Sequence, residues 1–106
     1  MPAELLTRRI EELAKDPGQR ANAVALLSAI ERSALDGIGH EDISLNSFTN
    51  AICFDWLAGR EWDDVQVEIY PDRFETYLSR DQELRINHWR SEALKDVVAE
   101  LLAGMA

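Results

Sequence analysis

The residues best suited to chemistry in this chain are few, because it has only two histidines and one cysteine among twenty acidic residues. His40 is followed by Glu41 and Asp42, and an imidazole beside carboxylates could bind a divalent cation or support general acid/base catalysis. Neighbouring loop residues seldom converge on one ion without a distant ligand. We therefore interpret His40 as a solvated loop residue rather than part of a site.

The remaining chemical candidates also favour structural roles. Cys53 cannot form an internal disulfide, no CxxC or paired Cys/His spacing is present, and a small inert side chain is the simplest interpretation. His88 alternates with Leu84 and Ile86, so we expect a hydrogen-bonded histidine facing the edge of the core. No phosphate-binding glycine loop, nucleophile elbow or HExxH zinc motif occurs. We expect no catalytic residue, no metal and no cofactor.

Length and charge narrow the classes of partner. A chain of 106 residues with 46% hydrophobic content fits one domain, which we place over residues 1–106. The net charge is −9, with six acids and five bases up to residue 40 and fourteen acids against six bases after it. Such a surface repels nucleic acid and anionic membranes and favours a basic protein partner. Because the start lacks a signal-peptide pattern and no apolar run could span a bilayer, we expect a cytoplasmic protein.

Helical periodicity appears at both ends of the chain. A first helix is predicted up to Asp16-Pro17-Gly18, where two helix breakers meet, and a second resumes near Gln19 and ends at Gly37 and Gly39. Together they form a helical hairpin over residues 1–36. A C-terminal amphipathic helix is predicted over residues 91–105, with Ser91 as its N-cap. Its apolar positions are Leu94, Val97, Val98, Leu101, Leu102 and Met105.

Between the helices the apolar period changes to two, which is typical of strands. Four strands are predicted within residues 50–89, and their short connections favour an antiparallel meander. The segment 43–48 also alternates and favours a further edge strand, whereas a helix over 44–57 is the competing interpretation. We thus expect an α+β fold of the order ααββββα.

One face of the predicted sheet mixes acids with aromatic residues. Pairing Ile69 with Phe74 across the Tyr70–Arg73 turn places Glu68 opposite Glu75, and directly opposed like charges destabilise a hairpin. A cation is therefore expected there, either from Arg85 on the fourth strand or from a partner. The residues predicted to share this outer face are Asp55, Leu57, Glu68, Tyr70, Glu75, Tyr77, Arg85 and Trp89.

These features favour a small acidic, non-catalytic protein-binding module of the inhibitor, immunity, antitoxin or chaperone type. We expect it to bind a basic protein through Asp55, Glu68, Tyr70, Glu75, Tyr77, Arg85 and Trp89. One alternative is a nucleic-acid mimic that occupies a basic groove; another is a small enzyme or enzyme subunit that uses His40 with loop carboxylates. The apolar surface of the C-terminal helix could also join two copies as a homodimer.

Overall fold

The chain folds as two N-terminal helices, a five-stranded sheet and a C-terminal helix. The computed structural model describes residues 3–32, 43–48, 50–56 and 62–105. The α+β class is confirmed, but the sheet has five strands rather than four because the segment 43–48 forms an edge strand and not a helix. The elements are α1 Ala3–Leu13, α2 Pro17–Arg32, β1 Ser44–Phe48, β2 Ala51–Trp56, β3 Asp64–Ile69, β4 Arg73–Arg80, β5 Glu83–Arg90, a 3-10 turn Ser91–Ala93, and α3 Leu94–Met105.

The break between the first two helices follows the predicted signals. Leu6 and Ile10 lie fully buried on one face of α1, as their spacing indicates. The Asp16 carboxylate accepts a hydrogen bond from the Gly18 N–H at 2.7 Å. α2 begins at Pro17, slightly earlier than expected, because proline suits the first helical turn, where its missing N–H has no partner to lose. The predicted end of α2 at Gly37–Gly39 lies outside the described residues.

The sheet is an antiparallel meander in which each strand pairs with its sequence neighbours, in the order β1-β2-β3-β4-β5. The turn before β4 pairs Ile69 with Phe74, as expected from its proline. Only Asp81 and Gln82 separate β4 from β5, and Asp81 has a φ of 39°, in the left-handed region that aspartate tolerates better than most residues. Two short loops therefore fix the register of the last three strands.

All three helices pack on one face of the sheet, called the helix side below, and together they bury a single apolar cluster. α3 comes unusually close to β4. A Cβ on Gly104 would lie 2.6 Å from Cδ2 of Leu78, which is inside van der Waals contact. Glycine at this position lets the helix backbone approach the strand. The buried apolar residues are Leu6, Ile10, Ala23, Leu26, Leu27, Ile30, Ile43, Leu45, Ile52, Phe54, Trp56, Trp62, Val65, Val67, Ile69, Phe74, Leu78, Val97 and Leu101.

The start of α3 differs from the prediction. Ser91 belongs to the 3-10 turn and is not an N-cap, since the residue that precedes the turn is Arg90 and its side chain makes no capping bond. The Ser91 hydroxyl instead accepts a hydrogen bond from Asn22 Nδ2 at 2.9 Å. The same Asn22 amide reaches the carbonyl of Tyr70 at 2.9 Å. One amide on α2 therefore ties together two connections at the same end of the sheet.

Candidate binding face

The second face of the sheet carries most of the side chains that could do chemistry. Paired residues of neighbouring strands point to the same side of a sheet, so the register assigns each side chain to a face. None of the described helices covers this side. We call it the open face, and its described members include Ser44, Asn46, Ala51, Cys53, Asp55, Asp64, Gln66, Glu68, Tyr70, Arg73, Glu75, Tyr77, Ser79, Leu84, Ile86, His88 and Arg90.

The centre of the open face is a pair of glutamates on adjacent strands. Glu68 pairs directly with Glu75, which confirms the predicted like-charge pair, and the two residues are only 7% and 8% exposed. The Tyr70 hydroxyl donates to Glu68 Oε1 at 2.6 Å. The Tyr77 hydroxyl lies 3.3 Å from both Glu68 Oε1 and Glu75 Oε2. Its single proton can satisfy only one of them at a time.

The basic side chains beside this pair are His88 and Arg73 rather than Arg85. His88 Nδ1 lies 2.8 Å from Glu75 Oε1, and Arg73 Nε lies 3.6 Å from the same oxygen. The Arg73 guanidinium is also 4.0 Å from the centre of the Tyr70 ring, a cation–π distance. Among the described residues, Glu68 receives hydrogen bonds from the two phenols alone. The negative charge of Glu68 is thus shielded but not neutralised.

The tyrosines are held as neutral donors by this environment. Burial, with the charges of Glu68 and Glu75, raises the pKa of Tyr77 to about 12. Burial and the bond to Glu68 raise the pKa of Tyr70 as well. Neither phenol can ionise near neutral pH, so both remain hydrogen-bond donors to the carboxylates.

Two predicted members of the face lie on the helix side. The hairpin register pairs Leu78 with Arg85 and Phe74 with Trp89, and both β4 partners are buried under the helices. The placement of Arg85 and Trp89 on the outer face is therefore wrong. The Leu84–Ile86 alternation pointed to the opposite phase, but the two-residue loop decides the register.

On the helix side these two residues join a separate set of contacts. The Arg85 guanidinium lies 5.1 Å from the centre of the Trp62 ring. Trp89 Nε1 donates to Thr76 Oγ1 at 3.0 Å, and Thr76 in turn donates to Glu100 Oε2 at 2.9 Å. A cavity of about 440 Å³ lies here between α3 and β5. Glu100 anchors α3 to the sheet through this chain of bonds.

The inverted phase of β5 also changes the position of His88. Its side chain is 67% exposed on the open face instead of facing the core edge. Leu84 and Ile86 share that face and are 60% and 44% exposed. In place of the expected hydrogen bond at the core edge, the His88 ring makes a close contact with the Glu75 carboxylate on the open face.

A second carboxylate pair occupies the β2–β3 part of the face. Asp55 and Asp64 are half-buried, and Oδ1 of each is a buried atom without a hydrogen-bond partner in the described structure. Burial, together with the neighbouring Asp64, raises the pKa of Asp55 to about 7. The Asp55 carboxyl group therefore binds a proton far more readily than an exposed aspartate does.

Cys53 lies beside this region and is only 2% exposed. Burial raises the pKa of its thiol to about 12, and the nearby carboxylates act in the same direction. A thiol with such a pKa is protonated at neutral pH and is a poor nucleophile. This environment agrees with the interpretation of Cys53 as an inert side chain.

Of the residues predicted for the face, Asp55, Glu68, Tyr70, Glu75 and Tyr77 come together on one side of the sheet. Sequence reasoning missed Arg73, His88 and Asp64 as members. Arg73 lies two residues before Glu75 in the same strand, and this spacing places both side chains on one face. The two-residue loop between β4 and β5 pairs His88 with Glu75, which places His88 on that face as well. Leu57 and His40 lie outside the described residues.

The chain matches no protein-family model, no curated protein and no solved structure. In the part of the chain that the structure describes, no three His, Cys, Asp or Glu side chains are arranged to hold a metal ion. No helix of that part is long and apolar enough to cross a membrane.

Proposed function

We propose that this chain is a non-catalytic protein-binding module that takes up a basic segment of another protein on its open face. The observation that carries the proposal is the convergence of two tyrosine hydroxyls on the paired carboxylates of Glu68 and Glu75. This arrangement places rigid aromatic contact area directly over negative charge. Tyrosine combines these two properties at many protein interfaces.

The charge balance of the face favours a basic partner. Four carboxylates, those of Asp55, Asp64, Glu68 and Glu75, lie on adjacent strands β2 to β4. The cation that contacts them in the described structure at every pH is Arg73, whereas His88 is charged only when protonated. The chain as a whole adds a net charge of −9. Complementary charge of this kind steers a partner to the face and raises the association rate.

The burial of the glutamates defines how a partner makes contact. With exposed fractions below a tenth, Glu68 and Glu75 leave little room for a direct ion pair at the surface. Arg73 already lies over the ring of Tyr70. A partner's arginine or lysine would instead stack on Tyr77, whose hydroxyl lies 3.3 Å from both carboxylates. The contribution of Glu68 to binding is then electrostatic, and that of Tyr77 is direct.

Fluorescence anisotropy with a labelled peptide of alternating arginine and serine tests the proposal. Glu68→Gln keeps the shape of the side chain and removes its charge, and Tyr77→Thr removes the ring while keeping a β-branched residue in the strand. Each should weaken binding about tenfold, which is about 1.4 kcal/mol. Glu11→Gln makes the same charge change on the exposed surface of α1 and should alter the affinity less than about twofold.

Two results would contradict the proposal. One is an equal loss of affinity in Glu68→Gln and Glu11→Gln, because binding would then follow net charge rather than the face. The other is a steep fall of affinity with added salt together with full tolerance of Tyr77→Thr, which is the behaviour of a nucleic-acid mimic. Amide chemical-shift changes should be largest in β2 to β4 and smallest in α1.

A further inference from the structure

Strand β5 has the features of an unprotected sheet edge. In the described part of the chain it is the last strand of the sheet, and all eight of its residues, Glu83–Arg90, pair with β4 without interruption. It contains no proline, no lysine and no bulge, and its charged residues are Glu83, Arg85 and Arg90, of which Arg85 lies on the helix side. Its outward side chains Leu84 and Ile86 are 60% and 44% exposed. A long edge with exposed apolar residues is a template for a further strand.

The other edge of the sheet is different. β1 spans only Ser44–Phe48, and its open-face residues Ser44 and Asn46 are polar and exposed. A strand of five residues offers fewer backbone groups to a partner than β5 does. The asymmetry between the two edges singles out β5.

The hairpin geometry shows which backbone groups of β5 face the edge. The Tyr70 N–H donates to the Arg73 carbonyl at 3.0 Å, so these two residues form a hydrogen-bonded pair. Counting from this pair, every second pair of opposed residues in β3 and β4 exchanges backbone hydrogen bonds. The two-residue loop likewise closes on a hydrogen-bonded pair, Arg80 with Glu83. Counting by two along β5, the N–H and C=O groups of Leu84, Ile86 and His88 point away from β4. They are the groups left for a neighbouring strand.

We propose that β5 pairs antiparallel with β5 of a second copy, about a two-fold axis that passes through Ile86. In this register Ile86 faces Ile86 of the second copy, and Leu84 faces its His88. Three residues in each copy donate an N–H, which gives about six hydrogen bonds between the copies. The two five-stranded sheets then continue as one sheet of ten strands, with both open faces on the same side.

Side-chain chemistry favours this register over its neighbours. A shift of one residue would bring the open face of one copy beside the helix side of the other. A shift that moves the axis to Arg85 would place two arginines directly opposite each other, which is destabilising. A shift that moves the axis to Asn87 would replace the contact between isoleucines by contacts between Ile86 and His88. The Ile86-centred register keeps the apolar contact and opposes Arg85 to Asn87.

Charge supports the pairing of two acidic chains at this strand. β5 contains two arginines, Arg85 and Arg90, and one acid, Glu83, so its net charge is +1 with His88 neutral. The rest of the chain carries a net charge of −10, which gives the total of −9. The edge is therefore a locally basic strip on an acidic chain. Pairing through β5 keeps the acidic surfaces of the two copies away from the seam, and in this register Arg85 faces the uncharged Asn87 rather than another cation. This inference does not rest on the proposed binding of a basic partner.

Sedimentation velocity across a wide dilution series tests the dimer. The wild type should sediment with twice the monomer mass of 12.0 kDa and dissociate on dilution. Ile86→Lys and Leu84→Lys should each lower the association constant at least about tenfold. Leu5→Lys is the matched control, since Leu5 is also an exposed large apolar residue, 41% exposed on α1, and it should leave the dimer intact. Far-UV circular dichroism checks that each variant is folded.

Cysteine cross-linking tests the register itself. Residues opposite each other in a hydrogen-bonded pair have Cα atoms about 5.5 Å apart, which a disulfide can span. Ile86→Cys should therefore cross-link to itself under mild oxidation. Leu84→Cys should not, since its two copies would lie four residues apart along the seam, roughly 13 Å. Native Cys53 is buried and should not compete.

Three outcomes would overturn the inference. The first is a wild type that stays monomeric at every concentration. The second is a dimer that survives Ile86→Lys and Leu84→Lys but is lost in Val98→Lys, because α3 would then be the interface. The third is a dimer in which Leu84→Cys cross-links and Ile86→Cys does not, because the axis would lie elsewhere.

Discussion

Replacing Asp55 by asparagine should stabilise the fold at alkaline pH and leave its stability nearly unchanged at acidic pH. Asp55 is half-buried on the open face, and its Oδ1 has no hydrogen-bond partner in the described structure. Burial first, and the neighbouring Asp64 second, raises its pKa from 3.8 to about 7. Folding therefore favours the protonated form of this carboxyl group. Asparagine keeps nearly the same shape and is never charged.

The sign and size of the effect follow from the linkage between protonation and folding. A carboxyl group whose pKa is raised by folding contributes its full stability below the unfolded value, and this contribution is lost as the pH rises through about 7. The rise from 3.8 sets a ceiling of about 4 kcal/mol, at about 1.4 kcal/mol per pKa unit. Partial solvent exposure reduces this to about 1–3 kcal/mol. The gain of Asp55→Asn over wild type should thus be close to zero near pH 4 and reach about 1–3 kcal/mol by about pH 8.

Urea unfolding followed by tryptophan fluorescence at a series of pH values measures this difference. Protein concentration must be constant, since association would shift the apparent stability. Asp64→Asn should give a smaller gain in the same direction, because it removes the repulsion but leaves Asp55 buried, and the double variant should match Asp55→Asn alone. Glu11→Gln, on the exposed surface of α1, should show no such pattern. A gain from Asp55→Asn that is constant with pH, or that falls as the pH rises, would refute the reasoning.

Two further predictions concern packing. Gly104→Ala should destabilise the fold by about 1–2 kcal/mol in urea unfolding, because the new Cβ would lie 2.6 Å from Cδ2 of Leu78 and the overpacking exceeds the helix propensity gained. The loss should shrink in a Leu78→Val background, and an equal loss in both backgrounds would contradict the assigned contact. Cys53 should react with a thiol reagent at least about a hundredfold faster in urea than in the native state, because it is buried and its pKa is raised to about 12. Fast labelling of the native protein would show that the thiol is accessible.

Local sequence signals predict the parts of this fold that short connections control. The apolar spacing in α1 and α3 identifies their buried faces, and the Pro71 turn identifies the Glu68–Glu75 pair. In each case the deciding interaction spans only a few residues. The central acidic and aromatic pair of the open face is therefore predictable from the sequence.

The face of β5 is a case in which two local signals disagree. The alternation of Leu84 and Ile86 indicates that they point inward, whereas the loop at Asp81–Gln82 pairs Leu78 with Arg85 and turns them outward. The register prevails because β4 is fixed by its own buried residues and β5 must follow it. A hydrophobic pattern is a reliable guide only for a strand whose helix side is buried by apolar packing. β5 meets α3 through a polar network instead, in which Asn87 Nδ2 donates to Glu100 Oε1 at 2.7 Å.

The Asp55–Asp64 pair shows a second limit of local reasoning. The two residues belong to strands joined by the segment 57–63, and a connection of this length does not fix the register of β2 against β3. The register is set by the burial of Phe54 against Val67 and of Trp56 against Val65. Only these packed pairs bring the two carboxyl groups together, so the sequence alone could not reveal their neighbourhood.

The outward Leu84 and Ile86 link the two proposed surfaces of the molecule. If β5 joins two copies, both open faces lie on the same side of one continuous sheet, and a partner with two basic segments can engage both at once. The second contact then occurs at a high effective concentration, so avidity exceeds the affinity of a single face. Because Ile86 pairs with Tyr77, Ile86→Lys adds a positive charge beside the peptide site and should weaken the short arginine peptide slightly, but it should weaken the tandem peptide far more by abolishing the additional affinity. Equal weakening of both peptides would place Ile86 within the peptide-binding surface itself and would separate the role of that residue from dimerisation.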